Sequence, residues 1–259
     1  MTQALWIGGP PASGKTTIAR RIARRHGLRL YSADTRTWEH RDRALDAGTA
    51  AARRWESLPP AERWDAAPEE LVAMSLHRER GAMVLDDLAA LPPAPLVVAE
   101  GSPLPARAAD PERSVWLLPT PDVQRARLSA RGTTGGAAQL YASLADVIAR
   151  EAAEHAVPAL AVDGAQGIET MTAAVESRFA GAIAAGPRAE TIADRQALLR
   201  EMNDAIVAQV RAYHARPWAE GDPDAVVRAF VCECGDQACE QELDLTVGVA
   251  ASAPALAHR

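Results

Sequence analysis

The segment Gly9-Pro10-Pro11-Ala12-Ser13-Gly14-Lys15-Thr16 satisfies G-x-x-x-x-G-K-[ST] at every fixed position, and it constrains the chain more tightly than any other stretch. It acts as a phosphate-binding loop only between a buried strand and the start of a helix, and both flanks are present. Ala4-Leu5-Trp6-Ile7 is an apolar run ending at Gly8, the pattern of a parallel strand covered on both faces. After the loop, Ile18, Ala19, Ile22 and Ala23 share one helical face, and Gly27 ends the helix. Gly9 and Gly14 let backbone N–H groups curl onto phosphate oxygens, with Ser13 and Thr17 in the same cradle and the helix dipole adding positive charge. Lys15 then reaches the β- and γ-phosphates, and the Thr16 hydroxyl ligates Mg²⁺. Lys15 is the only lysine in the chain: the other 27 of its 28 basic residues are arginine. A compact ammonium is kept at the one place where a guanidinium is a poor substitute.

Residues 28–33 read as a second strand, ending on Asp34. A carboxylate at that strand end faces the γ-phosphate across the crevice and can accept the proton of an attacking hydroxyl; the alternative is a helix N-cap. Residues 35–91 read as a helical insertion rich in tryptophan and arginine, either a substrate-binding lobe or a solvated hairpin with core tryptophans. Arg36, Arg41 and Arg43, near Asp34 in sequence, are its candidate substrate contacts. Within the insertion, 71–91 reads as one packing helix. Leu96 to Ala99 form a third strand ending on Glu100, a candidate to hold a Mg²⁺-bound water or to touch the acceptor, with loop anchoring as the alternative. After a fourth strand, Thr120-Pro121-Asp122 starts a helix carrying Arg127 and Arg131. Residues 122–137 are expected to form a lid, with 133–136 as its flexible tip. A fifth strand and a closing helix over 168–185 complete the unit.

Gly186-Pro187 reads as a boundary between 1–186 and a C-terminal module, 187–259, made of a long amphipathic helix and a small cysteine-bearing segment. Cys232, Cys234 and Cys239 supply three soft ligands, one fewer than a closed Zn²⁺ site needs. His214, Asp236 and Glu240 are candidates for the fourth; reduced cysteines packed on a strand are the alternative. Residues 250–259 read as a frayed tail. The net charge of −6 gives no global footprint for nucleic acid. No apolar run is long enough to span a bilayer, and the expected location is cytoplasmic.

The order of these parts resembles the P-loop kinases of the nucleoside monophosphate kinase, shikimate kinase, gluconate kinase and chloramphenicol phosphotransferase group, over residues 1–185. The resemblance implies a three-layer α/β fold on a five-stranded parallel sheet, with helical insertion and lid, followed here by a small α+β appendage. It implies ATP, Mg²⁺ and transfer of the γ-phosphoryl group to a small-molecule acceptor. Carried over by position, Lys15 and Thr16 serve nucleotide and metal, Asp34 the acceptor hydroxyl, and Arg127 and Arg131 the transferred phosphoryl. Ser32 stands where shikimate kinases have a second aspartate, and Glu100 replaces the usual Walker B aspartate. The insertion matches none of these families closely, which leaves a nucleotide, a sugar acid or an antibiotic-like alcohol as acceptor. A toxin-type or polynucleotide kinase, or an ATP-binding scaffold recruiting a partner through its cysteines, are the competing readings.

Overall fold

Alternation along the first strand sets the layering. In β1 (Ala4–Gly8), Leu5 and Ile7 point to one face of the sheet, while Ala4 and Trp6 point to the other. The computed structural model describes residues 4–258. From β1 the chain runs through α1 (Lys15–His26), β2 (Arg29–Ser32), α2 (Thr37–Asp46), α3 (Ala50–Ser57), α4 (Pro68–Met74) and α5 (His77–Ala90). It continues through β3 (Val97–Gly101), β4 (Ser114–Pro119), α6 (Pro121–Ala130), α7 (Gly135–Glu154), β5 (Ala159–Val162) and α8 (Ile168–Ala185). The C-terminal part holds α9 (Ile192–His214), β6 (Val227–Val231), β7 (Glu242–Thr246) and α10 (Val247–Ser252).

The first five strands form one parallel sheet in the order β2-β3-β1-β4-β5, and β6 and β7 form a separate antiparallel pair. Leu5 and Ile7 pack with Ile18 and Ile22 of α1, Phe179 of α8, and Leu199 and Met202 of α9. Trp6 and Ala99 pack on the opposite side with Met74, Val84, Leu144 and Ile148. The connection after β1 leads one way to β2, and the one after β3 leads the other way to β4. A crevice therefore opens at the carboxyl ends of β1 and β3, where ligands bind in open α/β sheets.

The structure differs from the sequence reading in three elements. Residues 71–91 are not one helix: α4 and α5 are separated at Ser75 and Leu76, and Leu76 takes a left-handed conformation (φ 59°). Leu76 is fully buried against Ala44 and Ala52, and the break frees the Met74 carbonyl, which accepts from Arg41 Nη2 at 2.7 Å. Of the expected flexible tip at 133–136, Gly135 and Gly136 are instead the first residues of α7, with Gly136 against the Trp64 backbone. The expected frayed tail at 250–259 instead carries the last residues of α10 and a buried Leu256, packed with Phe230 and Val210.

Candidate active site

Between β1 and α1 the loop turns through two backbone conformations open only to glycine at low cost, φ 141° at Gly9 and φ 94° at Gly14. A Cβ at Gly9 would collide with the Leu117 carbonyl, so the residue type is fixed by space as well. Ala12 is also left-handed (φ 67°) and is held by Arg127, whose Nη1 donates to the Ala12 and Ser13 carbonyls at 3.0 and 3.2 Å. The first bond of α1 runs from Ile18 N–H to the Gly14 carbonyl, leaving the amides of Lys15, Thr16 and Thr17 as the open helix N-terminus. Ser13 Oγ is buried without a hydrogen-bond partner. Open amides, an orphaned hydroxyl and a buried ammonium at a helix N-terminus form a donor set that fits a polyphosphate.

Lys15 Nζ lies 3.1 Å from Asp34 Oδ2, and Asp34 Oδ1 accepts from the Ser102 amide at 3.3 Å. Burial works against the Lys15 ammonium, but the Asp34 and Glu100 carboxylates outweigh it and hold the pKa above its ordinary value. Burial would raise Asp34, yet Lys15 and Arg80 bring it below the usual carboxylate range. Glu100 is fully buried and pushed up by that burial; its Oε2 accepts from Thr16 Oγ1 at 3.0 Å and its Oε1 from Ser32 Oγ. Thr16 and Glu100 are thus the hydroxyl and carboxylate beside the cradle that could hold a Mg²⁺.

Beside Lys15 and Asp34 opens a cavity of about 690 Å³. Its wall alternates rings with guanidinium groups. Arg63 lies 3.9 Å from the Trp218 ring and 5.2 Å from Trp55; Arg41 lies 5.0 Å from Trp55 and 5.8 Å from Trp38; Arg216 lies 5.3 Å from Trp38. Trp38 and Trp218 meet edge to face at 5.7 Å and close the ladder. Burial, with the neighbouring Arg216, Arg80 and Arg63 charges and against Glu56, lowers Arg41 to about 10, so it stays charged at neutral pH. Arg80 is fixed by the Ala33 carbonyl at 2.6 Å and by His40 Nδ1 at 3.4 Å. His40 Nε2 then donates to Asp87 at 2.8 Å, which also accepts from the Tyr31 hydroxyl and Arg43. From the C-terminal part, α9 sends Gln209 to the Asp34 carbonyl at 2.9 Å and Tyr213 into the wall.

Lys15, Thr16, Asp34 and Arg131 are brought together as expected, with Arg131 lining the cavity close enough for its charge to act on Lys15. Four expected residues, Arg127, Arg36, Arg43 and Glu100, sit outside the cavity lining, with Arg43 on Asp87. Arg127 is spent on the loop carbonyls, so it shapes the phosphate cradle rather than facing the transferred group. Arg36 is turned outward to Glu39 at 2.6 Å and does not line the cavity. Arg41 reaches the wall as expected, its guanidinium beside Trp38 and Trp55 with Nη2 on the Met74 carbonyl, while its Nε and Nη1 are buried without partners. Glu100 lies beneath Thr16, outside the cavity, on the metal side. Thr17 contributes its amide, since its side chain is exposed toward the cysteine-bearing segment.

Sequence reasoning missed Arg80, which no spacing rule marks, and Gln209, Tyr213 and Trp218, which lie in the part read as an appendage. Among the described residues, Cys232, Cys234 and Cys239 gather with His258, not with the three candidates considered for a fourth ligand. Asp236 caps the Ala238 amide, Glu240 pairs with Arg21 and Arg25, and His214 stacks on Tyr213.

The strand order and the inward-turned loop amides define a P-loop nucleotide-binding protein, a class that works with Mg²⁺. More narrowly, the chain belongs to the AAA_33 family, an AAA domain, whose model matches residues 5–158. No curated protein matches the chain significantly. Among solved structures, TT1252 from Thermus thermophilus is similar at a TM-score of 0.40 and 21% identity, covering 71% of this chain and 97% of its own. Among the described residues, no helix is long and apolar enough to cross a membrane.

Proposed function

We propose that this chain transfers the γ-phosphoryl group of ATP to a hydroxyl or phosphate of a small acceptor that carries a flat ring and an anionic group. The observation that carries the proposal is Asp34, whose carboxylate touches Lys15 on one side and faces the ring-lined cavity on the other. Nucleotide phosphates enter the amide cradle and take Lys15 from Asp34. Mg²⁺ supplies charge neutralisation on the phosphoryl oxygens when bound, with Thr16 and Glu100 to hold it and its waters. The freed Asp34 accepts the hydrogen bond of the acceptor hydroxyl and orients its oxygen for in-line attack. As the new P–O bond forms, the bond to the β–γ bridging oxygen breaks, ADP leaves, and the hydroxyl proton passes to Asp34. A carboxylate suits a loose transition state, in which that proton moves late. Arg131 and Arg80 supply positive charge on the cavity side, against few acids, which favours an anionic acceptor. Tryptophan faces favour a ring.

The test is transfer from γ-labelled ATP with Mg²⁺ to a panel of nucleosides, nucleotides, sugar acids and alcohol-bearing antibiotics. A labelled product with the wild type and none with Lys15→Ala is the expected result. ATP binding without a labelled product across the panel would replace the proposal by an ATP-binding scaffold.

A further inference from the structure

The geometry points to a structural zinc site formed by Cys232, Cys234, Cys239 and His258, which fastens the chain end and holds α9 against the acceptor cavity. The four ligand atoms all lie within 4.8 Å of one another, with His258 Nδ1 at 3.0 Å from Cys232 Sγ and 3.8 Å from Cys239 Sγ. Tetrahedral zinc, with Zn–S near 2.3 Å and Zn–N near 2.0 Å, requires S···S separations of about 3.8 Å and S···N of about 3.6 Å. Three sulfurs and one imidazole, drawn from segments at 232–239 and 258, therefore gather closely enough for one ion to draw them to that spacing.

Hydrogen-bond donors are aimed at the cysteine sulfurs. The His258 backbone amide donates to Cys232 Sγ at 3.4 Å. Arg24 of α1 lies 4.0 Å from Cys234 Sγ and also donates to the Cys232 and Asp236 carbonyls. Three thiolates and a neutral imidazole around Zn²⁺ leave one net negative charge, and Arg24 is the cation placed to meet it. Free cysteines behave as small apolar groups and call for no such donors.

What the ion would hold is visible in Glu233, between the first two ligands. It is 2% exposed and joins Asn203 Nδ2 at 2.7 Å and Arg200 at 2.8 Å, both on α9, to the Leu256 amide at 2.9 Å. Two turns further along α9, Gln209 meets Asp34. The metal site therefore braces the helix that completes the cavity, from a place outside it.

The experiment uses the full chain, purified under reducing conditions without chelator. Elemental analysis is expected to find one zinc per chain, and Co²⁺ exchanged into the site is expected to give the visible bands of tetrahedral thiolate coordination. Cys234→Ser and His258→Ala should each release zinc to a chromogenic chelator at least tenfold faster than wild type. Removing the metal should speed amide exchange across 200–218 while leaving binding of a non-hydrolysable ATP analogue within about threefold. A reduced, folded chain that neither carries zinc nor takes it up at micromolar concentration would overturn the site. His258→Ala releasing zinc at the wild-type rate would overturn the ligand set. Unchanged exchange across 200–218 on metal removal would overturn the bracing role. None of these readouts depends on which acceptor is used.

Discussion

Asp34 and Lys15 occupy each other in the free site, and this pairing carries consequences for single substitutions. Arg127 illustrates a different kind of residue: its two bonds to loop carbonyls keep Ala12 left-handed and the amides turned inward. Arg127→Ala removes charge-assisted hydrogen bonds worth roughly 1.5–3 kcal/mol in total effect. ATP affinity should fall by about tenfold or more, with acceptor KM much less affected; calorimetric titration with a non-hydrolysable analogue checks it. The positions of Lys15, Thr16 and Asp34 were legible because motif and topology fix their place. Arg36, Arg41 and Arg127 were read by sequence proximity or helix position. Neither reveals which way a guanidinium turns when a carboxylate, a ring and a free carbonyl compete for it.

Between α2 and α5, Asp87 gathers His40, Tyr31 and Arg43, and this cluster fixes Arg80 beside the cavity. Burial acts to raise Asp87, but hydrogen bonds from His40 and Tyr31 outweigh it and bring it to about 2. Its folded pKa thus lies below its unfolded value near 3.9. The stabilisation is fully present above about pH 4 and is lost as pH falls from about 4 toward about 2. Asp87→Asn should therefore lower stability by about 2 kcal/mol at pH 7 and show a flatter loss of stability below pH 4 than wild type, measured by urea denaturation across pH. The aromatic ladder gives a second expectation at this scale. Arg41→Ala removes two ring contacts and leaves the Met74 carbonyl unpaired, so it should cost about 2–4 kcal/mol and raise acceptor KM, while ATP affinity changes less than threefold. The five parallel strands were readable from apolar runs, four of them ending at glycine or an acid, and α1 from its one-faced apolar period. The break between α4 and α5 was not, because nothing local in Ser75-Leu76 signals it; burial of Leu76 decides it.

Across the whole molecule, the C-terminal part is joined to the sheet and to the site. Leu199 and Met202 share the core under α1, while Gln209, Tyr213 and Trp218 complete the cavity. Removing 187–259 should expose that apolar face and open the ladder; the shortened chain should aggregate or lose several kcal/mol of stability, followed by thermal unfolding. This union was hidden in the sequence because a helix period shows which face is apolar, not what covers it. The central claim is that Lys15 serves the nucleotide and Asp34 the acceptor, and Asp34→Asn tests it most directly, with ATP binding and phosphoryl transfer measured on the same preparation. ATP affinity should be equal to or tighter than wild type, since Lys15 loses its competing carboxylate, while transfer should fall by about 10²-fold or more. Transfer at the wild-type rate, or loss of ATP binding, would contradict this division of roles.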